Sequence, residues 1–175
     1  MDITQVILSD HHDQRRMFAL LDDVDRSDVK TLTVLWNRLS AMLEVHAQAE
    51  ELFFYPELLA LGRRLRDDSE AEETKDAIGD HNDIRDGILE SRKHDVGTDG
   101  WWRGVTDARK ANDEHMGEEE HEGLRDFRLH VDLETRHRIA VPFVAYEAEF
   151  VTGVPIEDKD PERYVEDQGE GDGAR

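Results

Sequence analysis

Residues 43–54 read LEVHAQAEELFF. Leu43, Phe53 and Phe54 belong to an apolar stripe that opens with Leu32, Leu35, Trp36 and Leu39 and recurs at three and four residues, the period of a helix packed by one face. His46 falls three residues after Leu43 and seven before Phe53, so it continues that stripe. Glu50 lies four residues on from His46, one turn along the same face. Polar groups on a core stripe must be satisfied, so what this imidazole and carboxylate meet there decides the fold.

The answer lies in a repeat. His46-x-x-x-Glu50-Glu51 returns as His115-x-x-x-Glu119-Glu120, and Asp10-His11-His12-Asp13-Gln14-Arg15 returns as Asp80-His81-Asn82-Asp83-Ile84-Arg85. His11, His46, His81 and His115 follow one another at 35, 35 and 34 residues. The chain reads as two copies of a two-helix hairpin, each presenting one His from its first helix and a His/Glu pair from its second. Four imidazoles and two carboxylates meeting at one level of a bundle satisfy each other best through metal, the carboxylates bridging two ions and each imidazole binding one. Such a donor set suits iron or manganese better than a structural zinc site. Glu51 and Glu120 sit about 100° further round their helices and are expected to support the site or face solvent. His12 points away from the stripe of Ile3, Ile7, Phe18 and Leu21, whereas His11 borders it. His94, His121, His130 and His137 fall outside the pattern and are expected at the surface or in packing. Tyr55 is expected to serve core packing and helix termination, although a phenol there could also donate a hydrogen bond near the metals.

Helices are expected over roughly 2–24, 28–60, 69–94, 101–127 and 133–150, with Pro56 bending or ending the second and Ser69 with Glu72 forming a capping box after the polar stretch 66–73. Gly117 and Gly123 weaken the later part of the fourth. The expected architecture is all-α: an antiparallel up-down four-helix bundle with an additional C-terminal helix, spanning residues 1–152. An acidic, Gly-rich tail follows over 153–175, its last residues expected to be disordered.

Composition excludes several classes. There is no cysteine, so thiolate sites and disulfides are out. A net charge of −21 repels phosphate backbones and anionic lipid, so neither nucleic acid nor membrane is an expected partner. No apolar run approaches the ~18 residues of a spanning helix and no secretory signal is evident, so a cytoplasmic location is expected by default.

The ordered set His11, His46-x-x-x-Glu50, His81, His115-x-x-x-Glu119, with LFFYPEL following the first pair, resembles the hemerythrin-like, or HHE cation-binding, family over about residues 3–128. The resemblance implies a four-helix bundle around a non-haem centre of two iron ions, oxo- or hydroxo-bridged, with manganese or zinc as other ions, and with His11, His46, Glu50, His81, His115 and Glu119 as ligands. It implies small-molecule partners: oxygen, peroxide or nitric oxide. Oxygen-carrying members have a second His where this chain has Arg85, and an Asp where it has Glu120. A missing seventh ligand leaves the ions more open, which favours redox chemistry such as catalase-like decomposition of peroxide over reversible carriage. The other reading is a non-enzymatic oxygen, nitric oxide or redox sensor, or an iron-binding store.

Overall fold

Most helices begin where a side chain can cap them. Asp2 accepts from Thr4 N (3.0 Å) at the start of α1 (Ile3–Asp23), and Asp28 accepts from Thr31 N (3.1 Å) at the start of α2 (Val29–Ala49). A computed structural model describes residues 1–65 and 69–170. After α2 come a π-helical segment (Glu50–Phe54), α3 (Tyr55–Leu65) and α4 (Ser69–Ser91). Thr98 caps α5 (Asp99–His121); α6 (Gly123–His130) follows, and Asp132 caps α7 (Leu133–Glu149). Asp160 accepts from Arg163 N (3.0 Å) and Pro161 takes the first position of α8 (Pro161–Glu170). No strand occurs among the described residues, and none of their helices is long and apolar enough to cross a membrane.

The core is divided into two apolar clusters with a polar layer between them. One contains Ile3 and Ile7 of α1, Phe54, Tyr55 and Leu58, Ala77 and Ile78 of α4, and Leu124 and Phe127 of α6. The other contains Phe18 and Leu21 of α1, Leu32, Trp36, Leu39 and Leu43 of α2, Ile84 and Ile88 of α4, and Trp101, Val105 and Ala108 of α5. On α1, α2 and α4, and from α5 into α6, the stretch between the clusters carries the repeated His and Glu. The polar layer is therefore sealed above and below by side chains that exclude water.

α4 and α5 approach until their backbones touch. A methyl group at Gly87 would lie 2.4 Å from Ala108 N, and one at Gly104 2.3 Å from Ser91 N. Only glycine permits this approach, and it fixes the depth at which His81 and His115 enter the interior.

The structure departs from the sequence expectations in three places. The second helix does not end near Pro56: the α-helical register breaks earlier, at Glu50, and helix resumes from Tyr55 to Leu65. Proline at 56 has no N–H to offer, and one extra residue in the turn before it accommodates the lost bond. The fourth helix breaks at Glu122 (φ −111°, ψ −85°), and α6 restarts at Gly123. α4 starts at Ser69, as expected, with the Ser69 hydroxyl donating to Glu70 (3.2 Å), and residues 66–68 of the polar stretch before it lie outside the described residues. The tail beyond Gly153 contains α8, packed against α3 and α4. The disorder expected of the last residues falls on 171–175, outside the described residues.

Candidate metal centre

The π-helical segment begins at Glu50, one turn after His46. Residues His11, His46, Glu50, His81, His115 and Glu119 are each at most 3% exposed. The structure brings all six together, and the two oxygens of Glu50 divide them. Glu50 Oε1 lies 2.9 Å from His46 Nε2 and 3.8 Å from His11 Nε2; Glu50 Oε2 lies 3.2 Å from His81 Nε2 and 3.6 Å from His115 Nε2. Each oxygen thus faces the two imidazoles of one hairpin. Glu119 Oε2 approaches His11 Nε2 at 3.4 Å, while Glu119 Oε1 accepts from the Tyr55 hydroxyl at 3.1 Å.

The outer nitrogen of every imidazole faces a carboxylate. His11 Nδ1 meets Glu120 Oε1 at 3.0 Å and His81 Nδ1 meets Glu51 Oε1 at 2.9 Å. His46 Nδ1 has Glu147 at 3.4 Å and Asp10 at 3.7 Å; His115 Nδ1 has Asp80 at 3.9 Å. A carboxylate at Nδ1 holds the proton there and leaves the Nε2 lone pair directed inward, the arrangement usual for metal-binding histidine. The pairing follows the repeat. Asp10 and Asp80 serve the second His of their own hairpin, whereas Glu51 and Glu120 serve the first His of the other. The repeated arginines complete the pattern: Arg15 pairs with Glu120 (2.7 Å) and Arg85 with Glu51 (2.9 Å). Arg85 is fully buried and also pairs with Glu44 (2.9 Å).

Metal fits this donor set. Among the described residues, His11 Nε2, His46 Nε2, both carboxylate oxygens of Glu50, and Glu119 Oε2 are buried without a hydrogen-bond partner. His81 Nε2 and His115 Nε2 face each other at 3.3 Å, a contact between two lone pairs unless a cation or proton lies between them. Leaving so many buried polar atoms unmet costs on the order of 1–3 kcal/mol apiece, a cost that coordination removes. Without metal the charges are uneven. Burial, with Glu50 beside it, holds Glu119 protonated, well above the usual carboxylate range. Burial alone would raise Glu50 as well, but His46, His11 and His115 outweigh it and keep it ionised. Burial pushes His115 down to about 4.

Tyr55, expected mainly as a packing residue, touches the site through its hydroxyl, and burial together with Glu119 and Glu50 keeps that phenol protonated. Asp10, Asp80 and Glu147 were not anticipated. The first two were visible as the Asp of both Asp-His pairs; Glu147, on α7, carried no signal. His12, His121, His130 and His137 are exposed and His94 is partly so, away from the layer.

A cleft of about 30 Å³ reaches the layer at Tyr55, His115 and Glu119. Glu73, Asp76, Asp80, Glu118 and Glu122 line its outer part. Burial, then Glu122 and Asp126, pushes Glu73 up to about 8, and burial pushes Asp80 up to about 6. A carboxyl raised in the folded state holds a proton that the unfolded chain has already released at its ordinary value of about 4.3. Its contribution to stability is therefore full below that value and is lost as pH rises towards 8. In metal-free protein, Glu73→Gln should match the parent's denaturation midpoint near pH 5 and exceed it at pH 8. A difference between the two that does not change with pH would count against this assignment.

A layer of buried imidazoles and carboxylates, their inner atoms unpaired and their outer atoms held, is that of a helical cation-binding protein. The chain belongs to the hemerythrin family: the model of the Hemerythrin HHE cation binding domain matches residues 2–125. No curated protein and no solved structure matches it.

Proposed function

We propose that the chain is a non-haem di-iron protein of the hemerythrin-like type that handles oxygen or peroxide, with catalase-like decomposition of peroxide as its activity. The observation that carries this reading is the division of four imidazoles between the two oxygens of Glu50. On it, His11 and His46 would hold one ion, His81 and His115 the other, and Glu50 and Glu119 would serve both. Two iron ions there would supply the ferrous–ferric electron steps that oxygen and peroxide chemistry uses. The alternation of the two apolar clusters along α1, α2 and α4, and from α5 into α6, supports the antiparallel up-down bundle that this centre requires.

The chain's own groups support redox chemistry over carriage. Arg85 takes the place of a further imidazole and is engaged with Glu44 and Glu51; Glu120 is engaged with His11 and Arg15. Neither adds an inward donor, so six protein residues serve two ions and leave room for a small reactant. Tyr55 holds Glu119 in place and carries a proton at its hydroxyl oxygen next to the layer. The cleft admits a water-sized molecule, since about 10–15 Å³ suffices for one. Its carboxylates disfavour anions while leaving neutral hydrogen peroxide or dioxygen unhindered.

Protein expressed with iron should contain two iron ions per chain, show the absorption bands of an oxo-bridged pair, and evolve oxygen from added peroxide. Reversible oxygen binding with no evolution from peroxide would remove the enzymatic reading and leave a carrier or sensor. Absence of stoichiometric metal would remove the reading of the centre.

A further inference from the structure

The doubled pattern around the centre is broken at Glu51. Its repeat partner Glu120 meets His11 and Arg15 and is 24% exposed at the side chain. Glu51 meets His81 and Arg85 in the same way but is fully enclosed. The closure comes from the C-terminal segment. Lys159 Nζ pairs with Glu51 Oε2, and the Tyr164 hydroxyl donates to Glu51's own carbonyl oxygen.

That carbonyl has a reason to need a partner. In an α-helix it would accept from Tyr55 N–H, but the π-register turn gives that N–H to Glu50 O. The next residue is Pro56, which has no N–H. Tyr164 supplies the missing donor from outside the helix. Lys159 is itself clamped at both backbone groups: its N–H donates to Asn82 Oδ1 (2.9 Å), and its carbonyl accepts from Asn82 Nδ2 (2.6 Å). Asn82 is the neighbour of His81. Tyr164 packs its ring against the first apolar cluster, and Asp160 and Pro161 start the helix that carries it.

We propose that residues 155–164 form a strap that makes the two metal positions unequal, with Lys159 and Tyr164 as positioning residues for His81 acting through Glu51. The proposal rests on the two-ion reading above. With Glu51 enclosed, no water competes for its hydrogen bond to His81 Nδ1, so that imidazole is held in one tautomer and one orientation before metal arrives. His11 depends on the quarter-exposed Glu120 and is held less firmly. The position served by His81 and His115 therefore binds its ion more tightly and fills first.

Titration of the metal-free full chain with Co(II), followed by its visible ligand-field bands, tests this. The unaltered chain should bind two equivalents in two separable steps. Tyr164→Phe, which keeps the ring and loses one hydroxyl, and Lys159→Met should each weaken the tighter step by about 10–100-fold, the usual effect of removing such a supporting group. The weaker step should stay where it is. Lys159→Arg should restore part of the loss, since it returns a cation to Glu51, and Arg15→Met should weaken only the second step. Two equal steps in the unaltered chain, no shift in either variant, or equal shifts of both steps would overturn the strap while leaving the two-ion centre intact. Failure of the unaltered chain to bind Co(II) would overturn the centre, and the strap with it.

Discussion

Replacing Glu50 by alanine is expected to empty both metal positions at once. Its two oxygens face different pairs of imidazoles, and both lack hydrogen-bond partners among the described residues. Glu119, by contrast, gives one of its oxygens to the Tyr55 hydroxyl. Removing Glu50 leaves two sets of imidazoles facing each other, His81 and His115 at 3.3 Å among them, with one fewer negative charge to offset two divalent cations. Iron content measured on purified protein should fall from two per chain to near zero. His46→Ala and Glu119→Ala should lower it sharply, because each removes one donor of the layer. His121→Ala should not, since that side chain is exposed and bonds Gly117 O on its own helix. Normal loading in Glu50→Ala would remove the assignment of the bridge.

The second large effect is on stability. A ligand bound only by the folded state stabilises it by about 2.7 kcal/mol when present at a hundred times its dissociation constant. Two ions would contribute about 5 kcal/mol. For a chain of this size each kcal/mol moves the melting temperature by roughly 2–4 °C, so chelation should lower it by about 10–20 °C. The burial of the layer supports a value of this order, because the unpaired imidazole and carboxylate atoms cannot turn to water while the clusters above and below stay packed. Calorimetry with and without chelator measures the shift, and Glu50→Ala should abolish it. A melting temperature that chelator leaves unchanged would mean that the layer is satisfied by protons alone.

Much of this was legible before any coordinates. Helical period and the absence of cysteine pointed to an all-helical chain with a His/Glu site. The doubled motif selected His11 over His12 and set aside His94, His121, His130 and His137. Local and global signals compete near the C-terminus. Asp160-Pro161 is a helix-start signal, a capping carboxylate followed by proline at the first position. The acidic, Gly-rich composition around it argued for a tail instead. Pro56 cannot donate and so marks a bend or an end of the helix; the structure takes neither course at Pro56 itself but widens one turn six residues earlier, at Glu50.

By itself the sequence determined which residues share a helix face, and hence that His46 with Glu50 and His115 with Glu119 enter the interior together. It determined too that the two hairpins carry the same donors. What only the tertiary structure decided is who meets whom across helices: that Glu51 and Glu120 exchange partners between hairpins, that Tyr55 holds Glu119, and that Lys159 and Tyr164 close over one half of the centre. The physical reason is range. Helical periodicity acts within about a turn and is written in spacing, whereas a contact such as Lys159 with Glu51, 108 residues apart, depends on how the helices pack and which carbonyl a π-register turn leaves unpaired. The sequence therefore reads as symmetric at a site that the folded chain makes asymmetric.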